Sequence, residues 1–260
     1  MLKKIKTTDI IAMKNHQKIV MITAYDALFA KLFDEEVEII LVGDSLNMSF
    51  NGMSDTLSLS LDATIYHSKA VKNGINHALV VADIPFGYIF DEKSALESCS
   101  KVIKESGADA VKIEGGKEFA SIIKALCSVG IAVMGHIGLK PQLVRRDGGY
   151  KIARDLNSII EDAIALERAG VFAIVLEATL SDIAKEVASR VDVPVIGIGS
   201  GTNVDGQVLV WSDMLGFCED FKPKFVKRYL DGAQLVKDAV NLYAKEVREG
   251  TFPDEEFQYK

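Results

Sequence analysis

The segment Val37-Glu38-Ile39-Ile40-Leu41-Val42-Gly43-Asp44-Ser45 is an aliphatic run of strand length that ends in a glycine turn, an acid and a hydroxyl. Strands of a parallel sheet buried on both faces read as continuous aliphatic runs, and polar groups are tolerated where such a strand leaves the core. The same order recurs over residues 77–85, where Asp83 closes a second apolar run. The two segments therefore predict neighbouring parallel strands whose carboxylates share one site.

The rest of the chain repeats this order of strand and helix, which predicts an α/β fold, a single-domain (β/α)8 TIM barrel. We expect seven strand–helix repeats, then an eighth strand and a final helix. An open doubly wound sheet is the alternative, but no GxGxxG motif follows the first strand to support its dinucleotide-binding form. Besides the two strands above, strands are predicted at residues 18–23, 110–113, 131–134, 172–176, 194–198 and 207–211, and helices at 24–35, 62–73, 94–105, 117–128, 156–169, 182–189 and 232–248.

The predicted domain covers residues 1–260, with a short N-terminal helical segment at about residues 1–16 and a polar tail at about residues 251–260. The leading helix is expected to span residues 7–13, with Thr8 or Asp9 available as its N-cap. The helix after the first strand is predicted to be amphipathic, because residues 28, 32 and 33 are apolar and share one face.

The composition is that of a globular protein, with 48% hydrophobic and 26% charged residues. A net charge of −7 with scattered Lys and Arg argues against nucleic acid as a partner. No apolar run reaches the roughly 18 residues of a membrane span, and no signal-peptide h-region follows Lys3-Lys4-Ile5-Lys6. We therefore expect no membrane association and a cytoplasmic protein, in which Cys99, Cys127 and Cys218 are free thiols.

Ionisable side chains stand at the predicted C-terminal ends of successive strands. In a barrel these ends surround one mouth, where the active sites of this fold lie. Taken singly, each side chain could instead cap a helix, form an ion pair or lie in a solvated loop. Burying a set of unpaired charges is costly, however, so the set as a whole indicates a functional site. Its members are Asp44 with Ser45, Asp83, Lys112 with Glu114, His136 and Glu177.

Asp44, Asp83 and Glu114 offer hard oxygen ligands, and no cysteine lies at a strand end. This donor set suits Mg²⁺, which takes one or two carboxylates and leaves positions for water and substrate oxygens. Zinc would be a poor match. For Asp83 the alternative is a structural turn, in which the carboxylate accepts from nearby backbone amides.

Lys112 and Glu114 alternate along one strand, so they point to the same face. They could form an ion pair, or Lys112 could present its ammonium to an anionic substrate while Glu114 supports the metal. Glu177 ends an apolar strand, and partial burial would raise its pKa and make it a stronger general base. His136 could equally be a structural histidine bonded to backbone. Finally, Gly-Ile-Gly-Ser-Gly at residues 197–201 is similar to a barrel's phosphate-binding loop, or simply allows close backbone approach.

These residues resemble the ketopantoate hydroxymethyltransferase family of pantothenate biosynthesis. The resemblance extends in order over nearly the whole chain and includes the aspartates, Lys112, Glu114 and Glu177 with their neighbours. The matching segments are residues 21–26, 42–46, 56–57, 66–67, 82–86, 111–116, 135–139, 141–142, 148–151, 176–177, 196–199, 205–207 and 224–226.

The resemblance implies a (β/α)8 barrel, a cytoplasmic homo-oligomer that is commonly a decamer, and a Mg²⁺-dependent one-carbon transfer. The implied reaction moves a hydroxymethyl group from 5,10-methylenetetrahydrofolate to the 2-oxoacid 3-methyl-2-oxobutanoate and gives 2-dehydropantoate through a metal-stabilised enolate. Roles implied for this chain are metal binding by Asp44, Asp83 and Glu114, substrate binding by Asp44, Ser45, Asp83, Lys112 and His136, and proton abstraction by Glu177.

The chain departs from the family pattern at few places, which leave loop shape and folate affinity open. Asn47 stands where glycine is usual and tolerates positive φ better than most residues. Residues 178–180 replace the usual Cys-Val-Pro after Glu177, and Ser200 replaces a common alanine. Two other functions are possible for such a barrel. One is that of a related carbon–carbon lyase or phosphonomutase, but the Lys-Cys-Gly-His loop usual in those lyases is absent from this sequence. The other is that of a non-catalytic binding protein on the same barrel.

Overall fold

The computed structural model describes residues 2–219 and 222–259. Met1 and Lys260, the outer ends of the predicted terminal segments, lie outside the described residues. By its internal contacts the chain divides into two compact units, Met1–Val210 and Trp211–Lys260, which are taken here in turn.

The first unit is a closed barrel of parallel strands, in which each strand pairs with the next and the last pairs with the first. This confirms the predicted (β/α)8 fold. The strands are β1 (Ile19–Thr23), β2 (Ile39–Val42), β3 (Leu79–Asp83), β4 (Ala110–Glu114), β5 (Val133–Gly138), β6 (Ala173–Glu177), β7 (Val195–Ile198) and β8 (Gly206–Leu209).

Helices of the first unit lead into the barrel or connect its strands, and most of them match the prediction within a few residues. The long loop after β5 contains a helix that the sequence did not predict, and so does the loop after β2. The helices are α1 (Thr7–Ala12), α2 (Ala27–Phe33), α3 (Leu46–Ser49), α4 (Leu61–Gly74), α5 (Glu92–Ser106), α6 (Ala120–Ser128), α7 (Val144–Asp147), α8 (Leu156–Ala169) and α9 (Ser181–Arg190).

The expectation of a seventh strand–helix repeat is wrong, because residues 199–205 connect β7 to β8 without a helix. Both strands contain only four residues, so a short loop can return the chain to the start of β8. Gly199 and Gly201 have φ of 64° and 78°, the left-handed region that glycine adopts at least cost.

Two local predictions for helices are also wrong. Lys6, rather than Thr8 or Asp9, is the N-cap of α1, and the Asp9 carboxylate accepts from the Lys6 backbone N–H at 2.9 Å. In α2, Leu28 and Leu32 share a face as predicted, but that face is exposed, with 79% and 70% of each residue accessible. Periodicity defines a face of a helix and leaves open what covers it.

The barrel interior is filled by aliphatic side chains that alternate along the strands. Ile5 and Ile10, from the N-terminal segment, pack against this cluster. Above it the inward positions become polar: Leu79 and Val81 of β3 belong to the cluster, and Asp83 follows them on the same face. The change from apolar to polar side chains places the candidate site at the carboxyl ends of the strands.

The second unit begins with α10 (Trp211–Met214) and contains the long helix α11 (Gly232–Glu249). Trp211 and Phe217 form an edge-to-face aromatic pair with ring centroids 5.4 Å apart. Helix α11 exposes a series of apolar side chains, Leu235, Val236, Val240, Leu242, Tyr243 and Val247. In neither unit does a described helix combine the length and hydropathy needed to cross a bilayer.

Candidate active site

Strand alternation and register bring the predicted polar residues to one level of the barrel. In β4, Ala110 lies in the lumen cluster, so Lys112 and Glu114 follow on the inward face. Register pairs Asp83 with Lys112 and Glu114 with His136 across neighbouring strands. The predicted residues on β3, β4, β5 and β6 are thus adjacent around the mouth, and Asp44 follows β2 by two residues.

The two aspartates are in direct contact through backbone and side chain. The Asp44 backbone N–H donates to Asp83 Oδ2 at 2.8 Å, and both residues are buried. A Cβ at Gly43 would lie 2.8 Å from Ser45 Oγ, so the glycine leaves room for that hydroxyl beside the aspartates. Asp83 therefore also has the structural role considered above as an alternative, because its Oδ2 accepts a hydrogen bond from a backbone amide.

Lys112 is buried with Asp83 as its ion-pair partner, rather than Glu114 as the sequence alternative had it. Nζ lies 2.9 Å from Asp83 Oδ1, and both side chains are almost fully buried. Burial would lower the pKa of Lys112, but the charges of Asp83, Glu114 and Asp44 raise it above its usual value. The ammonium is therefore charged at neutral pH.

His136 lies between Lys112 and Glu177. Its Nδ1 is 3.0 Å from Lys112 Nζ, and its Nε2 is 3.1 Å from Glu177 Oε2. Burial, and then the charge of Lys112, hold the pKa of His136 well below its usual value, so the imidazole is neutral. Because the charged lysine can only donate, Nδ1 is assigned as the acceptor, which leaves the ring proton on Nε2, where the contact with Glu177 does not have hydrogen-bond geometry.

Glu177 ends β6 with its side chain 18% exposed. Burial raises the pKa of Glu177 to about 7, although the charge of Lys112 acts in the opposite direction. Gly138 pairs with Glu177 at φ 90°, and a Cβ there would lie 2.3 Å from the Glu177 carbonyl oxygen. Ala178, next along the chain, adopts φ 46°, a conformation that alanine rarely takes. The backbone around this carboxylate is closely constrained.

Buried negative charge exceeds buried positive charge in this cluster. Asp44, Asp83, Glu114 and Glu177 surround one lysine and a neutral histidine. Burial and then the charge of Asp83 raise the pKa of Asp44 to about 7. Burial and then the charge of Asp44 raise the pKa of Glu114 well above its usual value. A bound cation would offset the desolvation and the mutual repulsion of these carboxylates.

The donor set fits Mg²⁺ through its aspartates. Within the described residues, no three His, Cys, Asp or Glu side chains form a ready-made metal cluster, so Glu114 is not gathered with Asp44 and Asp83 into one. Mg²⁺ requires fewer protein ligands than that, because one or two carboxylates with water and substrate oxygens complete its coordination. Burial and mutual repulsion raise the pKa of Asp44 and of Glu114, and this excess of carboxyl groups over the single ammonium of Lys112 favours such an ion.

Gln142 belongs to the site, although the sequence assigned it no role. Its Nε2 donates to Asp44 Oδ2 at 2.9 Å and to the Ile84 carbonyl at 3.0 Å. Its backbone N–H donates to Glu114 Oε2 at 3.0 Å. Gln142 follows β5 in a loop whose contacts span the barrel mouth, so only its place in the family-like segment at 141–142 could have indicated it.

Ser45 lies beside the aspartates and is oriented by a residue that the sequence did not single out. The Tyr25 hydroxyl is 2.9 Å from Ser45 Oγ. Burial raises the pKa of Tyr25 to about 12, which keeps its proton in place. The Tyr25 carbonyl in turn lies 2.6 Å from His67 Nδ1. Tyr25 therefore connects Ser45 to the helix α4 that carries His67.

The glycine-rich loop at residues 197–201 packs against the chain that follows β6. Ser200 is buried, and its Oγ donates to the Leu176 carbonyl at 2.7 Å. A Cβ at Gly201 would lie 2.4 Å from Ser181 Oγ. Asn47, where positive φ was considered, lies in the right-handed helix α3, and its Nδ2 donates to the Asp55 carbonyl at 2.8 Å.

Comparison with known sequences gives the same family over nearly the whole chain. The family model described as ketopantoate hydroxymethyltransferase matches residues 4–255. The 3-methyl-2-oxobutanoate hydroxymethyltransferase of a Nitratiruptor species is 62% identical over 95% of this chain and 95% of its own. That of Wolinella succinogenes is 58% identical over 99% of this chain and 100% of its own.

Solved structures support the fold at much lower identity. A phosphonopyruvate hydrolase in complex with oxalate and Mg²⁺ superposes with a TM-score of 0.65, covering 98% of this chain and 92% of its own at 14% identity. A 2,3-dimethylmalate lyase of the PEP mutase/isocitrate lyase superfamily gives a TM-score of 0.59 at 16% identity, covering 97% of this chain and 91% of its own. These neighbours establish the barrel architecture.

Proposed function

The chain belongs to the ketopantoate hydroxymethyltransferase family, and we propose that it performs the family's reaction at the carboxylate cluster described above. It is a transferase that moves a hydroxymethyl group from 5,10-methylenetetrahydrofolate to 3-methyl-2-oxobutanoate, giving 2-dehydropantoate for pantothenate biosynthesis. The observation that carries the assignment of the site is the convergence of four carboxylates, Lys112 and His136 at the barrel mouth, where burial raises the pKa of Glu177 to about 7.

Asp44 and Asp83 are proposed to hold Mg²⁺, with Glu114 beside them. When bound, the ion supplies a Lewis acid for the keto oxygen of the substrate. The geometry that supports this role is the contact between the two buried aspartates, in which the Asp44 backbone N–H donates to Asp83 Oδ2 at 2.8 Å. Gln142 orients the Asp44 carboxylate through the bond from Nε2 to Oδ2.

Lys112 and Ser45 are proposed to orient the ketoacid. The charged ammonium of Lys112 matches the substrate carboxylate, and it is kept protonated by the surrounding acids. Ser45 Oγ is oriented by the Tyr25 hydroxyl and can donate to a substrate oxygen. His136 is proposed to contact the substrate region, because its Nε2 is buried without a hydrogen-bond partner among the described residues and lies 3.1 Å from Glu177 Oε2.

Glu177 is proposed to remove the proton from C3 of the ketoacid. A carboxylate whose pKa is near 7 is a stronger base than an ordinary one and is still deprotonated in a large share of molecules at neutral pH. The resulting carbanion carbon bonds to the methylene carbon of the folate as the first of its two carbon–nitrogen bonds breaks, and the nitrogen released takes the proton held by Glu177. Water then supplies the hydroxyl group as the second carbon–nitrogen bond breaks, and its other proton goes to the second nitrogen.

Calorimetric titration of 3-methyl-2-oxobutanoate, with and without Mg²⁺, tests the proposed metal and substrate site. Asp83→Ala should weaken Mg²⁺-dependent binding by at least about tenfold, since even outer partners of a metal site are worth that much. Glu177→Gln should keep the affinity, because it preserves shape and removes only the base. Asp62→Ala, which changes an exposed acid paired with Lys101, is the matched control. Unaltered binding by Asp83→Ala would remove that residue from the metal site.

We also propose that the protein is a cytoplasmic homo-oligomer, with a decamer as the family's expected form. Self-association is supported by the exposed apolar side chains of α11 and by Leu28 and Leu32 on α2, since contiguous exposed apolar surface marks interaction sites. The cytoplasm is supported by the free thiols of Cys99, Cys127 and Cys218.

A further inference from the structure

One buried hydroxyl bonds to the main chain on both sides of the proposed base. Ser200, in the loop between β7 and β8, is buried, and its Oγ donates to the Leu176 carbonyl at 2.7 Å. The same oxygen accepts from the Thr179 backbone N–H at 3.3 Å. Leu176 directly precedes Glu177, and Thr179 follows it by two residues. A hydroxyl can donate and accept at the same time, so Ser200 spans the segment that carries the base.

The backbone within this span has a costly conformation. Ala178, directly after Glu177, has φ 46°, at which its Cβ crowds the main chain. Residues other than glycine keep such a conformation only where the surrounding contacts hold it. Because the chain turns at the residue that follows Glu177, the turn sets the direction in which the end of β6 faces the barrel mouth. Contacts that hold Ala178 therefore act on the carboxylate.

Backbone hydrogen bonds hold Ala178 from two sides. Its N–H donates to the Ile198 carbonyl at 2.8 Å, and its carbonyl accepts from the Ala153 N–H at 2.9 Å. Ser200 adds a side-chain contact at each end of the same turn. This contact can be removed by deleting one hydroxyl, which leaves every backbone donor and acceptor of the turn in place.

Two glycines bring Ser200 to this position. Gly199 and Gly201 have φ of 64° and 78°, so the loop turns sharply on both sides of the serine. A Cβ at Gly201 would lie 2.4 Å from Ser181 Oγ, at the first residue of α9. The glycines therefore let the loop pack against the chain that follows β6, which is the close backbone approach considered for residues 197–201.

We propose that Ser200 is a positioning residue for the general base: its hydroxyl holds the turn at Ala178, and this turn directs the Glu177 carboxylate at the carbon-bound proton of the ketoacid. The inference rests on the proposed function, in which Glu177 removes that proton. A base displaced by about 1 Å can lose a factor of about 100 in rate, so a contact with the neighbouring main chain is enough to matter. Alanine is common at position 200 in the family, so the serine raises the rate and is not required for folding.

Exchange of the C3 proton of 3-methyl-2-oxobutanoate in D₂O, with Mg²⁺ and without folate, measures the step on which Ser200 acts. At saturating ketoacid, Ser200→Ala should lower the exchange rate by about tenfold, because the loss of one or two neutral hydrogen bonds alters a barrier by about that factor. Calorimetric titration should give a Mg²⁺-dependent affinity for the ketoacid within about twofold of the wild type, because the hydroxyl bonds to main-chain groups and not to substrate. A rate that falls at constant affinity separates positioning from binding.

Ser106→Ala is the matched control. Ser106 is also buried, and its Oγ makes the same pair of bonds at the end of α5, donating to the Val102 carbonyl at 2.7 Å and accepting from the Ala108 N–H at 3.1 Å. Its loss should lower the temperature of thermal unfolding about as much as Ser200→Ala does, and it should leave the exchange rate unchanged. The comparison separates an effect on the base from a general loss of stability.

Ala178→Gly tests whether Ser200 acts through the turn. Glycine adopts positive φ at little cost, so this variant should keep the turn without help from the serine. Alone it should exchange the proton at close to the wild-type rate. Combined with Ser200→Ala, it should restore most of the rate that the serine variant loses.

The inference is overturned if Ser200→Ala exchanges the proton at the wild-type rate, if its ketoacid affinity falls as far as its rate, or if Ala178→Gly restores nothing. Failure of the proposed function would look different, because the wild type itself would then show no Mg²⁺-dependent exchange. Equal exchange by the wild type and Ser200→Ala would refute the positioning role alone.

Discussion

At the scale of single residues, the environment of Glu177 determines the chemistry that we assign to the site. Its carboxylate is buried, which raises its pKa, while the charge of Lys112 limits the increase and leaves the pKa at about 7. The neutral His136 directs Nε2 toward it. A carboxylate in this position can take a proton at neutral pH and return to the charged form after each turnover.

A pH profile follows from this value. Glu177 accepts a proton only in its charged form, so kcat/KM for the ketoacid should be highest above pH 7 and should fall as the pH is lowered through about 7. Well below that value, each pH unit should reduce kcat/KM by about tenfold, because the deprotonated fraction falls by that factor. The profile is measured with the ketoacid well below its KM and with the folate donor and Mg²⁺ in excess. A midpoint near the ordinary value of 4.5 would contradict the account.

Individual residues were predictable where local sequence fixes their position. Asp83 and Glu177 end apolar strands, and alternation from Leu79 or Val175 is enough to direct them into the lumen. Gln142 and Tyr25 were not predictable in this way. Gln142 reaches Asp44 across 98 positions of sequence, and no local pattern reports a contact of that kind.

At the scale of elements, the sequence predicted which segments are helices and which are strands. It did not predict which faces of those elements are buried. Helix α8 has the predicted bounds because Asp155 caps its N-terminus and Gly170 ends it in the left-handed region. Strand β5 extends to Gly138, beyond the predicted end at residue 134, because its pairing with β6 continues until Gly138 lies opposite Glu177. The exposed face of α2 was not predictable, since burial depends on neighbours distant in sequence.

Asp34, at the C-terminal end of α2, illustrates such a connection between elements. Its carboxylate accepts from the backbone N–H groups of Asn76, His77 and Ala78 at 2.7, 3.0 and 2.8 Å, and so fixes the chain that leads into β3. Asp34→Ala should reduce the free energy of unfolding by about 3 kcal/mol, because buried amides lose a charged acceptor. Urea denaturation measures this value.

Glu35→Ala is the neighbouring control for that experiment. Glu35 is exposed, so its replacement should change the free energy of unfolding by no more than about 0.5 kcal/mol. Equal stabilities of the two variants would show that the Asp34 carboxylate does not hold the α4–β3 connection.

At the scale of the whole molecule, the sequence predicted the barrel and the end at which its site lies. The repeated order of strand and helix determines the closed parallel sheet, and strand direction determines which end gathers the polar residues. The absence of a helix between β7 and β8 could not be predicted in this way. The repeat predicts a helix after every strand, whereas a short loop is enough to connect these two short strands.

Self-association is the prediction that belongs to the whole chain. Leu235, Val236, Val240 and Tyr243 of α11 are exposed apolar side chains that association would remove from water. Light scattering should return a mass several times the 28.4 kDa of one chain. A mass of one chain at micromolar concentration would refute the homo-oligomer.

The central claim is that Asp44 and Asp83 hold a cation at which the ketoacid is activated while Glu177 removes its C3 proton. Exchange of that proton for deuterium in D₂O, followed by proton NMR without folate, tests this claim most directly. The account predicts Mg²⁺-dependent exchange by the wild type and its loss in Glu177→Gln, while that variant still binds the ketoacid. Exchange by Glu177→Gln at the wild-type rate would contradict it.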